Sequence, residues 1–426
     1  MGEGISTQAV KGTRDFYPED LAVRSWLFAQ WREVAAAFGY VEYDACVLEH
    51  EELYTRKAGD EITGQLYNFT DKGGRQVALR PEMTPSLARM VMARAGSLAL
   101  PLRWYAIPQC FRYERMQKGR KREHFQWNMD VVGLAHVAAE AELMAAQIAF
   151  LRRTGLDLDG DPAVRIRVSN RRILQGVLER EGVTGEDFAA VCVIIDKRDK
   201  IGRDATAEQL VATGVATPTT ERVLDLLELR GLDALVARLG DELPGIDELR
   251  ELGELAAAAG FGHLLEIDLS VVRGLSYYTG VVWELFATSG SMRAIAGGGR
   301  YDALMATLGG RAVPMVGFGF GDVVILDLLA EHGLLPAPAR AVDDVVFPMQ
   351  QAQFLAANRI AATLRARGRR VVVDYSCRRF KHVIKAAEQD RAEYCYIIGD
   401  DELARGMCKR RRVGERDEEE LALTTV

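Results

Sequence analysis

Between Phe111 and Asp130 the chain reads FRYERMQKGRKREHFQWNMD, a stretch whose residue types and spacing suit chemistry on anions. It reads as two extended runs joined by a charged loop. Side chains alternate along a strand, so Arg112 and Glu114 share one side of the first run and Phe111 and Tyr113 the other. On the second run His124, Gln126, Asn128 and Asp130 share a face, and Phe125, Trp127 and Met129 the opposite one. The loop Met116 to Glu123 carries Lys118, Arg120, Lys121 and Arg122, with Gly119 for the turn. Arginine offers a planar fork of donors that matches phosphate oxygens. The apolar face can anchor a core. The face with a guanidinium, carboxylates and an amide is either solvated or the floor of a ligand site.

Three other segments hold comparable groups. In Leu79-Arg80-Pro81-Glu82-Met83-Thr84-Pro85, two prolines interrupt regular structure and Glu82 and Thr84 become acceptors on a rigid turn, suited to an ammonium group or to capping a helix. Arg273 stands between two strand-like runs, followed by Gly274 and Tyr277-Tyr278. In Gly297-Gly298-Gly299-Arg300-Tyr301-Asp302 the glycines allow close approach to the backbone or make a mobile turn. Gly317-Phe318-Gly319-Phe320-Gly321 fails as a dinucleotide fingerprint, because the third glycine of that pattern falls at Asp322. These glycines read as tight strand-to-helix packing beside a nucleotide.

The elements that position these groups follow from length and pattern. At 426 residues, 48% hydrophobic and 27% charged, two or three domains are expected. No apolar run approaches the ~20 residues of a membrane span, and the opening MGEGISTQAVKG lacks a secretory apolar core. Six scattered cysteines and six scattered histidines argue against zinc, a disulfide framework and a protein-built metal cage, and fit a reducing cytoplasm. A helix is expected after KGTRDFYPED, capped by Asp20, then strand-like sequence to Tyr54. A hairpin of Leu66–Thr70 and Gln76–Arg80 and a helix Ser86–Ala95 follow. Ala138–Arg153 is a helix and Val164–Val168 a strand. From about 171 to 262 helical patterns dominate, as in an inserted module. Sheet-like sequence resumes at Leu264, and a strand Arg293–Ala296 runs into the glycines. Pro336 and Pro338 mark a linker. Beyond it, strands 345–349, 370–374 and 394–398 alternate with helices 351–367 and 379–389, a small βαβαβ domain, closed by an edge strand and an acidic turn. The net charge is −7, but 341–426 holds sixteen Lys and Arg against fourteen Asp and Glu, and Arg365 to Lys381 seven cations against one acid. A local surface of that kind can bind a polyanion.

Taken in order, KGTRDFYPED, LRPEMT, FRYERMQKGRKREHFQWNMD, RGLSYYTG and GGGRYD resemble the histidyl-tRNA synthetase family of class II aminoacyl-tRNA synthetases over nearly the whole chain. The resemblance implies an α+β fold: a class II antiparallel sheet with flanking helices in 1–335, a helical insertion at about 171–262, and an α/β anticodon-binding domain in 341–426. It implies a homodimer formed through the first motif, with ATP, Mg²⁺ bound mainly through ATP phosphates, L-histidine and tRNA(His) as partners, and no membrane. Position by position, Glu82, Thr84 and Gln126 match residues on the amino acid's ammonium group. Asp130, Tyr277, Tyr278 and Tyr301 match the imidazole pocket. Arg112 matches the cation on the ATP α-phosphate, Glu114 lies by the adenine, and Arg120 matches the loop arginine on the outer phosphates. Arg273 matches the arginine between substrate carboxylate and α-phosphate.

The chain departs from that pattern. Asp130 stands where glutamate is usual, Ser276 where aspartate is frequent, and Cys46 where the first motif often has proline. Val324 occupies the position of the third-motif arginine that holds the ATP γ-phosphate, which leaves Arg120 or Arg311 to compensate. The alternative implied by the same resemblance is the family's non-catalytic relative, the regulatory subunit of ATP phosphoribosyltransferase.

Overall fold

The structure is a computed structural model. It describes residues 5–56, 63–115, 119–180, 182–183, 186–240, 242–272, 277–289, 294–337, 340 and 342–426. Contacts divide the chain into two units, Met1–Leu335 and Pro336–Val426.

The first unit holds twelve strands among the described residues: β1 (Val41–Glu42), β2 (Leu48–His50), β3 (Tyr67–Thr70), β4 (Gln76–Leu79), β5 (Leu102–Ala106), β6 (Gln109–Phe111), β7 (Glu123–Val132), β8 (Val164–Asn170), β9 (Leu265–Ile267), β10 (Val281–Ala287), β11 (Ala296–Arg300) and β12 (Met315–Gly321). Nine form one sheet, in the order β1-β5-β7-β12-β11-β10-β8-β9, with β6 also paired to β7. The ladder from β5 through to β8 is antiparallel, and β1 and β9 add parallel edges. β2, β4 and β3 form a separate three-stranded sheet.

The alternation along β7 sets the layers. Trp127, Met129 and Val131 are fully buried on one face, with the helices Pro18–Ala37 and Ala138–Arg153 contributing Trp31 and Phe150 to the same core. Trp31 stacks on Trp127 at 6.0 Å between ring centroids, and Phe320 of β12 packs edge-on to Phe150 at 5.2 Å. Aromatic burial of this kind leaves the opposite face of β7 and β12 for other uses. Between Arg171 and Ala258 the described residues form a series of helices, from Arg171–Arg180 to Ile246–Ala258, and sheet pairing returns with β9.

Several local expectations are corrected. The helix Pro18–Ala37 has Tyr17 at its N-cap and Pro18 in its first turn, with Asp20 three residues beyond the cap, in the first turn. The first run of the central hairpin is strand only to Phe111, so Arg112 and Glu114 lie beyond it. The strand-like run to Tyr54 divides into β1, β2 and a short helix, Glu52–Thr55. Gly297, Gly298 and Gly299 are interior residues of β11, not a turn. The reason is crowding: a methyl group on Gly298 would collide with Trp283 and the Gly317 carbonyl, and one on Gly299 with the Tyr278 ring.

The second unit has β13 (Asp344–Pro348), β14 (Val371–Val373), β15 (Tyr394–Ile398), β16 (Met407–Arg412) and β17 (Glu418–Ala422), in the order β14-β13-β15-β16-β17. The first three strands are parallel and the last two antiparallel. The acidic run expected as a turn is β17. It pairs with the basic β16, placing Glu420, Glu419 and Glu418 opposite Lys409, Arg410 and Arg411, where opposite charges stabilise cross-strand pairs. The basic stretch is also partly neutralised. Arg369 pairs with Asp344 and Glu393, Arg370 with Asp343 and Arg378 with Asp374, and Arg365 bonds the Val371 carbonyl. Arg367, Arg379 and Lys381 are exposed and make no ion pair among the described residues.

Candidate active site

The polar face of β7 meets β12 in register, with Gly317 opposite Asp130, Gly319 opposite Asn128 and Gly321 opposite Gln126. A methyl group on Gly317 would collide with Asp130 Oδ1, and one on Gly319 with Gln126 Nε2. The glycines of β12 therefore act within the sheet, as the bare floor over which the β7 side chains lean. The expectation of strand-to-helix packing is corrected on this point.

Asp130 is almost fully buried. The Tyr301 hydroxyl donates to its Oδ1, while Oδ2 has no partner. Burial pushes the carboxyl up to about 7, against the opposing pull of the Tyr301 hydrogen bond. The Oδ1 of Asn128, on the same face, is also buried and unpartnered. So is the hydroxyl of Tyr43, which burial and then the nearby Asp130 charge hold well above the usual phenol range. Asp130 and Asn128 on the polar face of β7, and Tyr43 just after β1, thus each carry a buried polar atom without a partner among the described residues, where buried polar atoms ordinarily find one.

Tyr277, Tyr278 and Tyr301 pack on one another, with centroids 5.1 to 6.2 Å apart. The Tyr277 hydroxyl donates to Glu82 Oε2 at 2.6 Å. Glu82 and Thr84 are both buried, Thr84 opening the helix Thr84–Ala93. Residues expected on the ammonium group and around the imidazole are thus brought against each other from segments nearly 200 positions apart.

Arg112 joins this group from the side. Its Nε donates to the Pro81 carbonyl at 2.9 Å, next to Glu82, and its amide to the Arg122 carbonyl. Arg120 Nε pairs with Glu114 at 2.9 Å, so the two residues expected on opposite ends of ATP contact each other. Val324 Cγ2 lies against Gly119 of the basic loop, 3.3 Å from where a methyl group on that glycine would sit. Arg311 is exposed. Arg273 and Ser276 lie outside the described residues. Among the described residues no group of three or more His, Cys, Asp and Glu could hold a metal ion.

Two groups went unassigned at the level of sequence. Arg14 bridges Glu123 at 2.8 Å and Asp322 at 3.0 Å, and Asp322 also accepts the Phe125 amide. His124, on the polar face of β7, has its imidazole pushed down to about 3 by burial and by the cations of Arg112 and then Arg14. It therefore stays neutral. The arginine of KGTRDF carried a signal in its motif; the neutrality of His124 follows only from its neighbours.

Comparison with known proteins identifies the family. The family model described as histidyl-tRNA synthetase matches residues 12–321, and an anticodon binding domain matches 343–426. The chain is 45% identical over 398 residues to the histidine–tRNA ligase, chloroplastic/mitochondrial, of Arabidopsis thaliana, covering 93% of this chain and 81% of that one. It is 43% identical over 419 residues to the histidine–tRNA ligase of Opitutus terrae, covering 96% and 95%. The crystal structure of histidyl-tRNA synthetase from Nostoc sp. superposes with a TM-score of 0.78 at 24% identity, covering 98% of this chain and 97% of that one, which shows a common fold. With its catalytic-domain match, its anticodon-domain match and near full-length identity, the chain belongs to the histidyl-tRNA synthetase family.

Proposed function

We propose that the chain is a histidine–tRNA ligase, which activates histidine with ATP and passes it to the 3′ end of tRNA(His). The observation that carries this reading to the site is the buried Asp130–Tyr301 pair with one free carboxyl oxygen, walled by Tyr277 and Tyr278. A neutral imidazole carries one donor and one acceptor, so a carboxyl beside a phenol can read both. Glu82, Thr84 and Gln126 take the ammonium group.

The histidine carboxylate is already ionised at neutral pH and needs no base. Its attack on the α-phosphorus brings two anions together. Arg112, together with Arg273 as the family resemblance implies, lowers that repulsion and stabilises the charge that develops in the transition state. Glu114 faces the adenine, and Arg120 leaves its Glu114 pairing to take the outer phosphates. Mg²⁺ arrives on the ATP phosphates and supplies further neutralisation there. A terminal ribose hydroxyl of tRNA then attacks the adenylate. The exposed cations Arg367, Arg379 and Lys381 of the second unit suit a phosphate backbone.

The same reading includes a homodimer, for which the exposed Tyr17, Leu21, Val41, Val47 and Leu48 provide apolar surface, and a cytoplasmic location, which suits free thiols at all six cysteines. A ligase is preferred to the regulatory relative because the anticodon-domain match and the cations of the site have no use in a protein without tRNA or catalysis. The test is ATP–pyrophosphate exchange with purified protein and Mg²⁺. Exchange that depends on histidine is expected, and its absence sinks the reading. Arg112→Ala is expected to lower exchange by roughly 10²–10³-fold without loss of folding.

A further inference from the structure

The first residue of the helical segment, Arg171, reaches back into the sheet unit. It is almost fully buried. Its Nε donates to the Val272 carbonyl at 2.9 Å and its Nη1 to the Tyr278 carbonyl at 3.1 Å. Its own amide donates to the Gly280 carbonyl at 3.0 Å, directly after Asn170 pairs with Val281. The guanidinium also lies 5.9 Å from the centre of the Tyr278 ring. One residue thus holds three described carbonyls, those of Val272, Tyr278 and Gly280. On the other side of that stretch, Tyr277 bonds Glu82, and the Tyr278 ring lies over Gly299 with no room for a side chain there.

We infer that Arg171 is a positioning residue for the histidine pocket: its fork sets the backbone of the tyrosine limb, and through it the Tyr277–Glu82 contact. The inference rests on the proposed ligase activity. A rigid fork holding the carbonyls of Val272 and Tyr278 fixes the backbone at those two points, and small displacements of a pocket wall are costly in binding. Lysine keeps the charge but not the fork. It can reach one carbonyl and leaves the other unpaired.

The test is the histidine dependence of ATP–pyrophosphate exchange for wild type, Arg171→Lys, Tyr277→Phe and the double variant, beside their thermal midpoints. Arg171→Lys is expected to raise the histidine KM about 10-fold, leaving the ATP KM within a factor of about three. If it acts through Tyr277, the double variant is no worse than the poorer single variant, because a displaced phenol has already lost Glu82. An unchanged histidine KM in Arg171→Lys overturns the inference, as do losses that multiply in the double variant or fall equally on histidine and ATP. Should Arg171→Lys fold poorly, Arg171→Gln, which retains an amide donor, is read by the same criteria. Wild-type protein without histidine-dependent exchange defeats the ligase reading and this inference with it. Active wild type with an unaffected variant defeats the inference alone.

Discussion

Two buried carboxyls lie close to consecutive residues at the end of β11, and they are treated in opposite ways. Glu140, in the helix Ala138–Arg153, has no exposed surface and receives both Nε and Nη2 of Arg300, at 2.7 and 2.6 Å. Arg300 is itself completed by Asp302 and by the carbonyls of Leu134 and His136. Asp130, among the described residues, meets the phenol of Tyr301 and keeps one oxygen without a partner. The first arrangement satisfies every strong donor and acceptor and holds the helix to the sheet. The second leaves polar capacity unspent beside Tyr301. A buried charge that is fully paired belongs to the scaffold; one left half-paired is available to a ligand.

That contrast breaks most visibly at Asp130. Asp130→Ala is expected to lower histidine-dependent kcat/KM by ~10⁴-fold, while equilibrium unfolding shows no loss of stability. Retained activity with reduced stability would put Asp130 in the scaffold instead. Glu140→Ala is expected to do the reverse. It strands a buried guanidinium and costs about 3–5 kcal/mol in chemical denaturation, with the histidine KM of the folded protein within a few-fold of wild type.

The smallest effect sharpens the comparison through pH. The Asp130 carboxyl rises from 3.8 to about 7 on folding, so between those values the folded chain holds more protons than the unfolded chain. Its contribution is fully present below about pH 3.8 and is lost as pH rises through 7. His124 has the opposite sign: its imidazole falls from 6.5 to about 3, so its contribution is present above 6.5 and lost as pH falls. The thermal midpoint of Asp130→Asn relative to wild type should therefore rise as pH increases from 4 to 7. A difference that does not vary with pH would mean that the carboxyl is ionised throughout.

Much of this site was legible before any fold was known. Alternation along 123–132 separated Gln126, Asn128 and Asp130 from Trp127 and Met129 because side-chain direction in a strand has period two. The helix 138–153, the helical segment after Arg171 and the alternating β and α of the last ninety residues were legible for the same local reason. The ordered motifs pointed to the family.

What the sequence alone could not determine was which charges cancel and which glycines are strand. Tyr301 reaches Asp130 across 171 positions, Tyr277 reaches Glu82 across 195, and Arg171 reaches Tyr278 across 107. Arg365 to Lys381 looked like an open basic stretch until Asp343, Asp344, Asp374 and Glu393 were seen to occupy four of its arginine contacts. Local pattern sets the direction in which a side chain points. Its partner, and hence its protonation and its freedom to meet a ligand, depends on strands and helices distant along the chain, and only tertiary packing brings those together.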